Sequence, residues 1–299
     1  MSTMASRSVH KDGGNKAPGQ YGRTDINYDN LTVECILWPE EEVVKRVLSK
    51  ASVAVKGSIV GKDEVDERSV QDMFRGGLNQ ALEWFTVAFE CSGVTRGVTH
   101  QLVRTRKASF AQQSMRYADM GSFNARMPKA IAESEVDAVL SEYNYPHLYN
   151  LQWDEGMHRA TTPQKVWLDA IAVSREAYAW LAEHDIPMQD ARTVCPIATE
   201  TYIICEYPLS EFIATYAYRA CQMFYPETVA LFGLMREALL EKCEWLEPHL
   251  LISCQKTSGG INGLPHKCTY QGWEQVEGQC TFDWALEENR IFKSSKVDK

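Results

Sequence analysis

The pattern of apolar and polar residues predicts strands in the first third of the chain. Residues 31–38, LTVECILW, alternate and are rich in apolar side chains, which is typical of a strand. Residues 84–91, WFTVAFEC, have the β-branched and aromatic content of a buried strand. These segments predict a small β-sheet.

Helical spacing dominates the remainder. Pro39 is followed by three glutamates and then by valines and a leucine at helical intervals, which predicts a helix start there. The clearest helix covers residues 163–183, with Thr162 as the N-cap and Pro163 at the first helical position. Its apolar stripe comprises Trp167, Ile171, Tyr178 and Leu181. Further helices are predicted over residues 66–82, 95–106, 132–140, 209–223 and 226–245.

Long helices around a few strands favour an α+β fold, with a helix-rich domain around a small β-sheet. We expect three parts along the chain. Residues 1–30 are polar and rich in Gly, Ser and Lys, and are predicted to be a disordered arm without the apolar core of a signal peptide. Residues 31–251 are expected to form the main domain, and residues 252–299 a cysteine-containing tail.

Composition narrows the classes of function. The net charge is -9 and the sequence pI is about 5.4, which argues against a nucleic-acid partner but allows a local basic pocket for a small anion. The apolar runs fall short of the roughly 18 residues that a membrane span needs, so we expect no membrane association and a cytoplasmic location.

The nine cysteines are scattered, as expected of buried thiols in a reducing compartment. One group in the tail contains residues that can bind zinc: Cys254, His266, Cys268 and Cys280. Because their spacing lacks a paired-cysteine knuckle, we predict that no metal is bound, and the zinc alternative stays open.

The segment of residues 100–117 stands out in this acidic chain. It contains arginines, a lysine, serines and glutamines, and no acidic residue. Guanidinium and hydroxyl groups suit phosphate oxygens, and a glutamine amide can recognise a uracil edge. The alternative is a solvated basic helix face or a site for the acidic residues of a partner protein.

The spacing within this segment resembles a known signature. Arg104-x-Arg106, seven residues, then Ser114 and Arg116 is similar to the R-H-R…S motif of the flavin-dependent thymidylate synthases, the ThyX family. Residues 191–196, ARTVCP, resemble the A-R-x-x-L-P run of that family. Arg219 and Glu227 match the spacing of its R-A…E helix, so that the resemblance covers about residues 31–246.

The resemblance implies a set of site residues. The residues implied to bind the nucleotide are Gln101, Arg104, Gln112, Gln113, Ser114, Met115, Arg116, Arg192 and Arg219. Of these, Arg219 is the catalytic residue expected to stabilise an enolate, and Gln101 is expected to hold the base. The residues implied to bind the cofactor are Gln80, Glu83, Arg104, Thr105 and Arg106.

The implied reaction is flavin-dependent C5 methylation of a uridylate, dUMP to dTMP. The resemblance also implies FAD as the cofactor, NADPH and methylenetetrahydrofolate as co-substrates, and a homotetramer with active sites at subunit junctions. The family contains relatives that methylate UMP, so the substrate is expected to be a small pyrimidine nucleotide.

The chain departs from the family pattern on the flavin and folate side. Thr105 replaces the histidine of the signature, Leu78 replaces another histidine, and residues 208–210 replace an N-x-R run. These departures leave alternatives open. One is a UMP or other pyrimidine-nucleotide methylase or hydroxymethylase in a nucleoside-antibiotic or phage pathway, and another is a non-catalytic nucleotide-binding descendant.

Overall fold

The computed structural model describes residues 24–25, 28–56, 65–75, 79–136, 138–139, 160–221 and 224–252. Its strands are β1 Thr24–Asp25, β2 Thr32–Leu37, β3 Thr86–Thr95, β4 Ser109–Gln112, β5 Ala125–Arg126, β6 Ala138–Val139, β7 Ala160–Thr161 and β8 Glu200–Pro208. Its α-helices are α1 Glu41–Lys56, α2 Glu67–Arg75, α3 Arg96–Leu102, α4 Lys129–Ala132, α5 Pro163–Glu183, α6 Met188–Ala191, α7 Leu209–Arg219 and α8 Pro226–Leu240. Short 3-10 helices cover Tyr28–Asn30, Asn79–Trp84, Arg192–Val194 and Glu244–His249. This composition confirms the predicted α+β class.

A four-stranded antiparallel sheet organises the domain, in the order β2-β3-β8-β4. Alternate residues of β8 are buried, among them Ile203, Cys205 and Tyr207, all at 0% exposure. The intervening residues of the strand are half-buried. One face of the sheet therefore belongs to the core, as the period-two geometry of a strand requires.

Helices cover the buried face of the sheet. α1 contributes Val44 and Leu48 to this core, and α8 contributes Phe232 and Met235, all at 0% exposure. α8 packs against β2, and α7 packs against β8 and the Asn79–Trp84 helix. A second buried cluster joins α5 to the chain that follows β4.

Several predicted elements are confirmed. The segment predicted as a strand over residues 31–38 contains β2, and the strand predicted over 84–91 overlaps β3, which begins at Thr86 and continues to Thr95. α5 has the predicted bounds, and the Thr162 hydroxyl accepts a hydrogen bond from the Lys165 amide at 3.3 Å. Ile171 and Tyr178 of its stripe are buried in the second cluster.

The helix predicted over residues 132–140 is wrong. α4 ends at Ala132, and residues 138–139 form the short strand β6, which pairs with β7. The helix predicted over 66–82 is shorter, because α2 ends at Arg75 next to the glycine pair at 76–77 and a 3-10 helix begins at Asn79. The helices predicted from 95, 209 and 226 end earlier than predicted, at residues 102, 219 and 240.

Strand β8 was not predicted, although it is an inner strand of the sheet. Its half-buried positions carry Tyr202 and Ile204, so large apolar side chains point to both faces and the alternation is hidden in the sequence. Its last residue, Pro208, leads directly into α7, without the turn residues that usually mark the end of a strand.

The ends of the chain are described only in part. Within the predicted arm, β1 pairs in parallel with β5, and a 3-10 helix covers Tyr28–Asn30. Cys254, His266, Cys268 and Cys280 lie outside the described residues. None of the helices in the described part of the chain combines the length and the apolar character needed to cross a membrane.

Candidate functional site

The start of α3 is fixed by a buried carboxylate. Thr95, the N-cap, accepts a hydrogen bond from the Val98 amide at 3.4 Å. Glu227, at the start of α8, accepts hydrogen bonds from the Thr95 amide at 2.7 Å and from the Thr95 hydroxyl at 2.8 Å. Burial raises the pKa of Glu227 above its ordinary value, and the two bonds from Thr95 oppose that shift. The segment that follows Thr95 is thereby anchored to α8.

A buried ion pair fixes the neighbouring chain to the start of β8. Arg126 Nη2 lies 3.1 Å from Glu200 Oε1, and the two side chains are 2% and 6% exposed. The same nitrogen donates to the Gly93 carbonyl at 2.8 Å. Backbone bonds from Arg126 to Ala198 and from Glu200 to Asn124 complete the connection. A buried pair with this many hydrogen bonds holds both segments in register.

Arg96, the first residue of α3, lies between two segments that were predicted to bind the substrate. Its Nη2 donates to the Gln113 carbonyl at 2.6 Å, and its backbone amide donates to the Thr199 carbonyl at 2.9 Å. Burial lowers the pKa of Arg96 below its ordinary value, and the charge of Arg192 lowers it further. Together with the bond from the Gly97 amide to the Ile197 carbonyl at 2.8 Å, the Thr199 bond places the start of α3 beside the segment that follows Arg192.

Arg192 belongs to the 3-10 helix that follows α6. Its Nε donates to the Gln189 carbonyl at 3.1 Å, which orients the guanidinium group. Cys195, three residues later, is close to Arg96; burial raises the pKa of its thiol to about 11, and the Arg96 charge opposes that shift. A thiol with this pKa is neutral at pH 7, so it does not compensate the two positive charges.

The chain after β4 passes directly beside this pair of arginines. Gln112 Nε2 donates to the Thr99 hydroxyl at 2.9 Å, which ties the end of β4 to α3. The Gln113 amide donates to the Tyr202 carbonyl at 2.9 Å. With the Arg96 bond to its carbonyl, Gln113 is thus held by both α3 and β8, although its side chain is exposed.

A turn follows at residues 114–118. The Ser114 hydroxyl accepts a hydrogen bond from the Arg116 amide at 3.2 Å, and the Arg116 side chain is exposed. Met115 is 8% exposed and packs in the second buried cluster, which also contains Ala191. Met115 therefore anchors the turn next to the segment that carries Arg192. We refer to Arg96, Arg192 and the turn of residues 113–116 as the arginine cluster.

Sequence reasoning missed Arg96, although one signal could have identified it. The stretch without acidic residues runs from residue 91 to residue 118, well beyond the 100–117 segment that was considered. Arg96 falls inside that stretch, directly after a threonine suited to cap a helix. Residues at the start of a helix lie near its positive end, so a half-buried arginine there is a candidate ligand for an anion.

The residues predicted to bind the cofactor lie elsewhere, near the start of β4. α3 carries the half-buried Gln101 and ends at Leu102; the loop of residues 103–108 then contains Arg104, Thr105 and Arg106, of which both arginines are exposed. We refer to residues 103–108 as the 103–108 loop.

The 103–108 loop contacts the 3-10 helix Asn79–Trp84 through one ion pair. Lys107 Nζ lies 2.7 Å from Glu83 Oε1, with the two side chains 56% and 43% exposed. Gln80, on the same 3-10 helix, is exposed. The structure therefore brings Gln80, Glu83 and the 103–108 loop to one side of the domain.

Arg219, the predicted catalytic residue, is the last residue of α7. Its guanidinium carbon lies 5.6 Å from the ring centroid of Tyr218 and 5.4 Å from that of Phe224. Burial raises the pKa of Tyr207, and the nearby charge of Arg219 opposes that shift. In the described part of one chain, no hydrogen bond or ion pair joins Arg219 to the arginine cluster.

Comparison with known proteins identifies similar sequences. The sequence model of the family described as "Thymidylate synthase complementing protein" matches residues 39–244. The flavin-dependent thymidylate synthase of Geobacter sulfurreducens is 29% identical over 148 residues, which are 49% of this chain and 53% of that protein. The enzyme of the same name from Pyrococcus furiosus is 31% identical over 204 residues, 67% of this chain and 70% of that protein. The match with the first relative thus spans only about half of that protein's length.

Solved structures show the same fold. ThyX from Helicobacter pylori with FAD and dUMP superimposes with a TM-score of 0.50 at 19% identity, over 74% of this chain and 99% of that one. A UMP/dUMP methylase from Streptomyces cacaoi, bound with 5-Br UMP, superimposes with a TM-score of 0.52 at 17% identity, over 78% of this chain and 99% of that one.

Proposed function

The chain belongs to the thymidylate synthase complementing protein family, and on that premise we propose that it catalyses flavin-dependent C5 methylation of a uridylate, dUMP to dTMP. Methylenetetrahydrofolate is the proposed one-carbon donor and NADPH the proposed reductant. The observation that carries this proposal is the arginine cluster. Arg96 donates to the carbonyl of Gln113, directly before Ser114, and the charge of Arg192 lowers the pKa of Arg96, in a chain of net charge -9.

The arginine cluster is the proposed phosphate site. Like charges that repel each other are stabilised by an anion between them, and the phosphate of a nucleotide monophosphate supplies two negative charges near pH 7. Arginine and serine bind phosphate oxygens through charge-assisted hydrogen bonds. Arg116 is exposed on the same turn and completes the set.

Recognition of the base is assigned to residues that flank the arginine cluster. Gln101, half-buried on α3, has an amide that can both donate to and accept from a uracil edge. Gln112, also predicted to bind the nucleotide, donates through its Nε2 to Thr99, and this bond keeps β4 next to α3. Gln113 presents an exposed side chain from a backbone that is held at both its amide and its carbonyl.

Arg219 is the proposed electrophilic residue. A guanidinium group next to a uracil carbonyl stabilises the negative charge that develops when C5 becomes nucleophilic. Because no contact joins Arg219 to the arginine cluster within the described part of one chain, we propose that a second subunit completes the site. This proposal agrees with the homotetramer that the family resemblance implies.

The donor set around the 103–108 loop fits FAD. Arg104 and Arg106 are exposed guanidinium groups, and the neighbouring acid Glu83 is paired with Lys107, so positive charge remains for a pyrophosphate. When bound, FAD would supply the redox chemistry of the reaction. The chain itself would hold the cofactor with these arginines and exclude water from the reacting ring.

A turnover assay tests the proposal. The purified protein is incubated with dUMP or UMP, methylenetetrahydrofolate, FAD and NADPH, and the product mass is measured. We expect a methylated nucleotide with dUMP. A hydroxymethylated product, or turnover of UMP alone, would replace the proposed reaction with one of its specialised relatives.

A second candidate function is nucleotide binding without redox chemistry. It is favoured by the departures from the family pattern, since Thr105 and Ser210 stand where the family has a histidine and an arginine. Leu78, the third departure, lies outside the described residues. A protein that purifies without the flavin spectrum, does not bind added FAD and still melts at a higher temperature with dUMP would support this candidate.

A further inference from the structure

The 103–108 loop is organised by short local turns. The Arg104 amide donates to the Gln101 carbonyl at 3.4 Å, the Thr105 amide to Leu102 at 2.9 Å, and the Ala108 amide to Thr105 at 3.5 Å. All three bonds stay within the loop or reach back to the end of α3. They shape the turns but do not fix the position of the loop relative to other elements.

In addition to the packing of Ala108 against the core, one ion pair connects this loop to a rigid part of the fold. Lys107 Nζ reaches Glu83 Oε1 at 2.7 Å, across 24 residues of sequence. Glu83 follows Ala81 and Leu82, which are each 2% exposed and hold the 3-10 helix in the core. Glu83 therefore has a fixed position, to which the long side chain of Lys107 is bound.

The charges around the loop favour this contact. Arg104, Arg106 and Lys107 place three positive charges within four residues, and they repel one another. The hydrogen bond and the charge of Glu83 raise the pKa of Lys107, and the charge of Glu211 on α7 adds to that effect. Lys107 thus faces two acids on elements that belong to the core.

We propose that the Lys107–Glu83 ion pair is a tether that positions Arg104 and Arg106 for the flavin. Lys107 is then a positioning residue. The family resemblance implied that Glu83 touches the cofactor; in this proposal Glu83 acts through Lys107 instead. The proposal rests on the proposed function for the identity of the cofactor. The existence of the tether does not depend on it.

The exposure of the pair makes the tether testable. An ion pair between side chains as exposed as these adds little to the stability of a fold. Variants of Lys107 and Glu83 are therefore expected to fold normally, while the local order of the loop changes. Normal folding with a less ordered loop would show that Lys107 and Glu83 position the loop and are not needed for the stability of the fold.

The experiment compares the full-length protein with Lys107→Met, Glu83→Gln and the double exchange Glu83→Lys with Lys107→Glu. FAD and dUMP affinities are measured for each. We expect each single variant to weaken FAD binding by about twofold to fivefold, the range of one exposed ion pair. The dUMP affinity should stay unchanged, and the double exchange should recover part of the FAD affinity, because the charge of Glu211 opposes a glutamate at position 107.

Lys165→Met is the matched control. Lys165 forms an ion pair of similar length with Asp169 on α5, at 2.9 Å and with the lysine side chain 54% exposed. This variant should leave FAD affinity unchanged. Single variants that bind FAD like the wild type, or a double exchange no better than the single variants, would overturn the proposal; the second result would return Glu83 to a direct contact with the cofactor.

Hydrogen exchange separates this proposal from the proposed function. Amides of residues 104–107 should exchange faster in Lys107→Met than in the wild type, and the double exchange should restore their protection. If the wild type does not bind FAD but this pattern is found, the proposed function fails and the tether stands. Unchanged exchange in the single variants would refute the tether whether or not FAD binds.

Discussion

The arginine cluster and the 103–108 loop carry similar side chains but are held in different ways. Arg96 follows a cap that is bound by the buried Glu227, and the chain beside it is joined to β8 by the buried pair of Arg126 and Glu200. The 103–108 loop has local turns and one exposed ion pair. A preorganised site binds its ligand without first ordering its residues, so the two regions should respond differently to mutation.

Of the two departures from the family pattern within the described residues, one falls in the loosely held loop and one in a helix of the core. Thr105 lies in the 103–108 loop itself, and Ser210 is in the first turn of α7. On the phosphate side, Ser114, Arg116 and Arg192 match the pattern, while Arg96 was identified from the structure. We therefore expect mutations in the arginine cluster to affect nucleotide binding and mutations in the 103–108 loop to affect flavin binding. The following predictions test that difference.

The largest expected effect is on nucleotide affinity. Arg192→Ala and Arg96→Ala should each weaken dUMP binding by about tenfold to a hundredfold, the equivalent of one charge-assisted hydrogen bond. FAD affinity should be unchanged in both. Arg104→Ala should instead weaken FAD binding and leave dUMP affinity unchanged. Calorimetric titration of each variant with dUMP and with FAD measures these affinities. A variant of the arginine cluster whose affinities for dUMP and FAD fall equally would show that the two binding sites are not independent.

The next effect concerns the anchor of the arginine cluster. Glu227→Ala removes a buried acceptor of two hydrogen bonds and should lower the free energy of unfolding by about 2–4 kcal/mol. Urea denaturation measures the loss. A loss below about 0.5 kcal/mol, the size of an ordinary surface substitution, would show that the anchor is not what holds α3.

The same glutamate predicts a pH dependence. Burial raises its pKa in the folded state, so the folded state binds the proton more tightly than the unfolded state. Its contribution to stability is therefore greatest below the ordinary value of 4.5 and decreases as the pH rises through the raised folded value. The difference in unfolding free energy between wild type and Glu227→Gln should decrease with rising pH across that window. An increase would contradict the assigned shift.

A smaller effect is expected from restoring a family residue. Thr105→His returns the histidine of the signature to the 103–108 loop. We expect FAD affinity to rise by roughly twofold to tenfold, the range of one added hydrogen bond. The dUMP affinity should not change. If Thr105→His left FAD binding as it was, the threonine at this position would not limit flavin affinity.

The smallest expected effect is on stability at the loop. Lys107→Met should not shift the melting temperature measurably, because the pair it breaks is exposed to solvent on both sides. Differential scanning calorimetry checks this result. A clear decrease in melting temperature would mean that the loop is part of the cooperative core, and the contrast between the two regions would disappear.

Local signals allowed some elements to be predicted from the sequence alone. α5 was predicted with its bounds because a threonine cap, a proline and an apolar stripe all agree. Strand β2 was found because its residues alternate and are rich in apolar side chains. These features act within a few residues, so a local pattern contains them.

Elements determined by distant contacts were missed. β8 is a strand because it pairs with β3 and β4, and its half-buried apolar residues hide the alternation. Arg96 belongs to the site because the fold brings it to Gln113 and Arg192, 17 and 96 positions away in the sequence. The signature itself located the turn at 114–116, but the partners that hold this turn came only from the structure.

The central claim is that the arginine cluster binds the phosphate of a pyrimidine nucleotide. The most direct measurement is a calorimetric comparison of dUMP with deoxyuridine, which lacks the phosphate, on the wild type and on Arg192→Ala. The account predicts that the wild type prefers dUMP by at least about tenfold and that the variant loses most of this preference. Equal affinities for the two ligands on the wild type, or an unchanged preference in the variant, would contradict it.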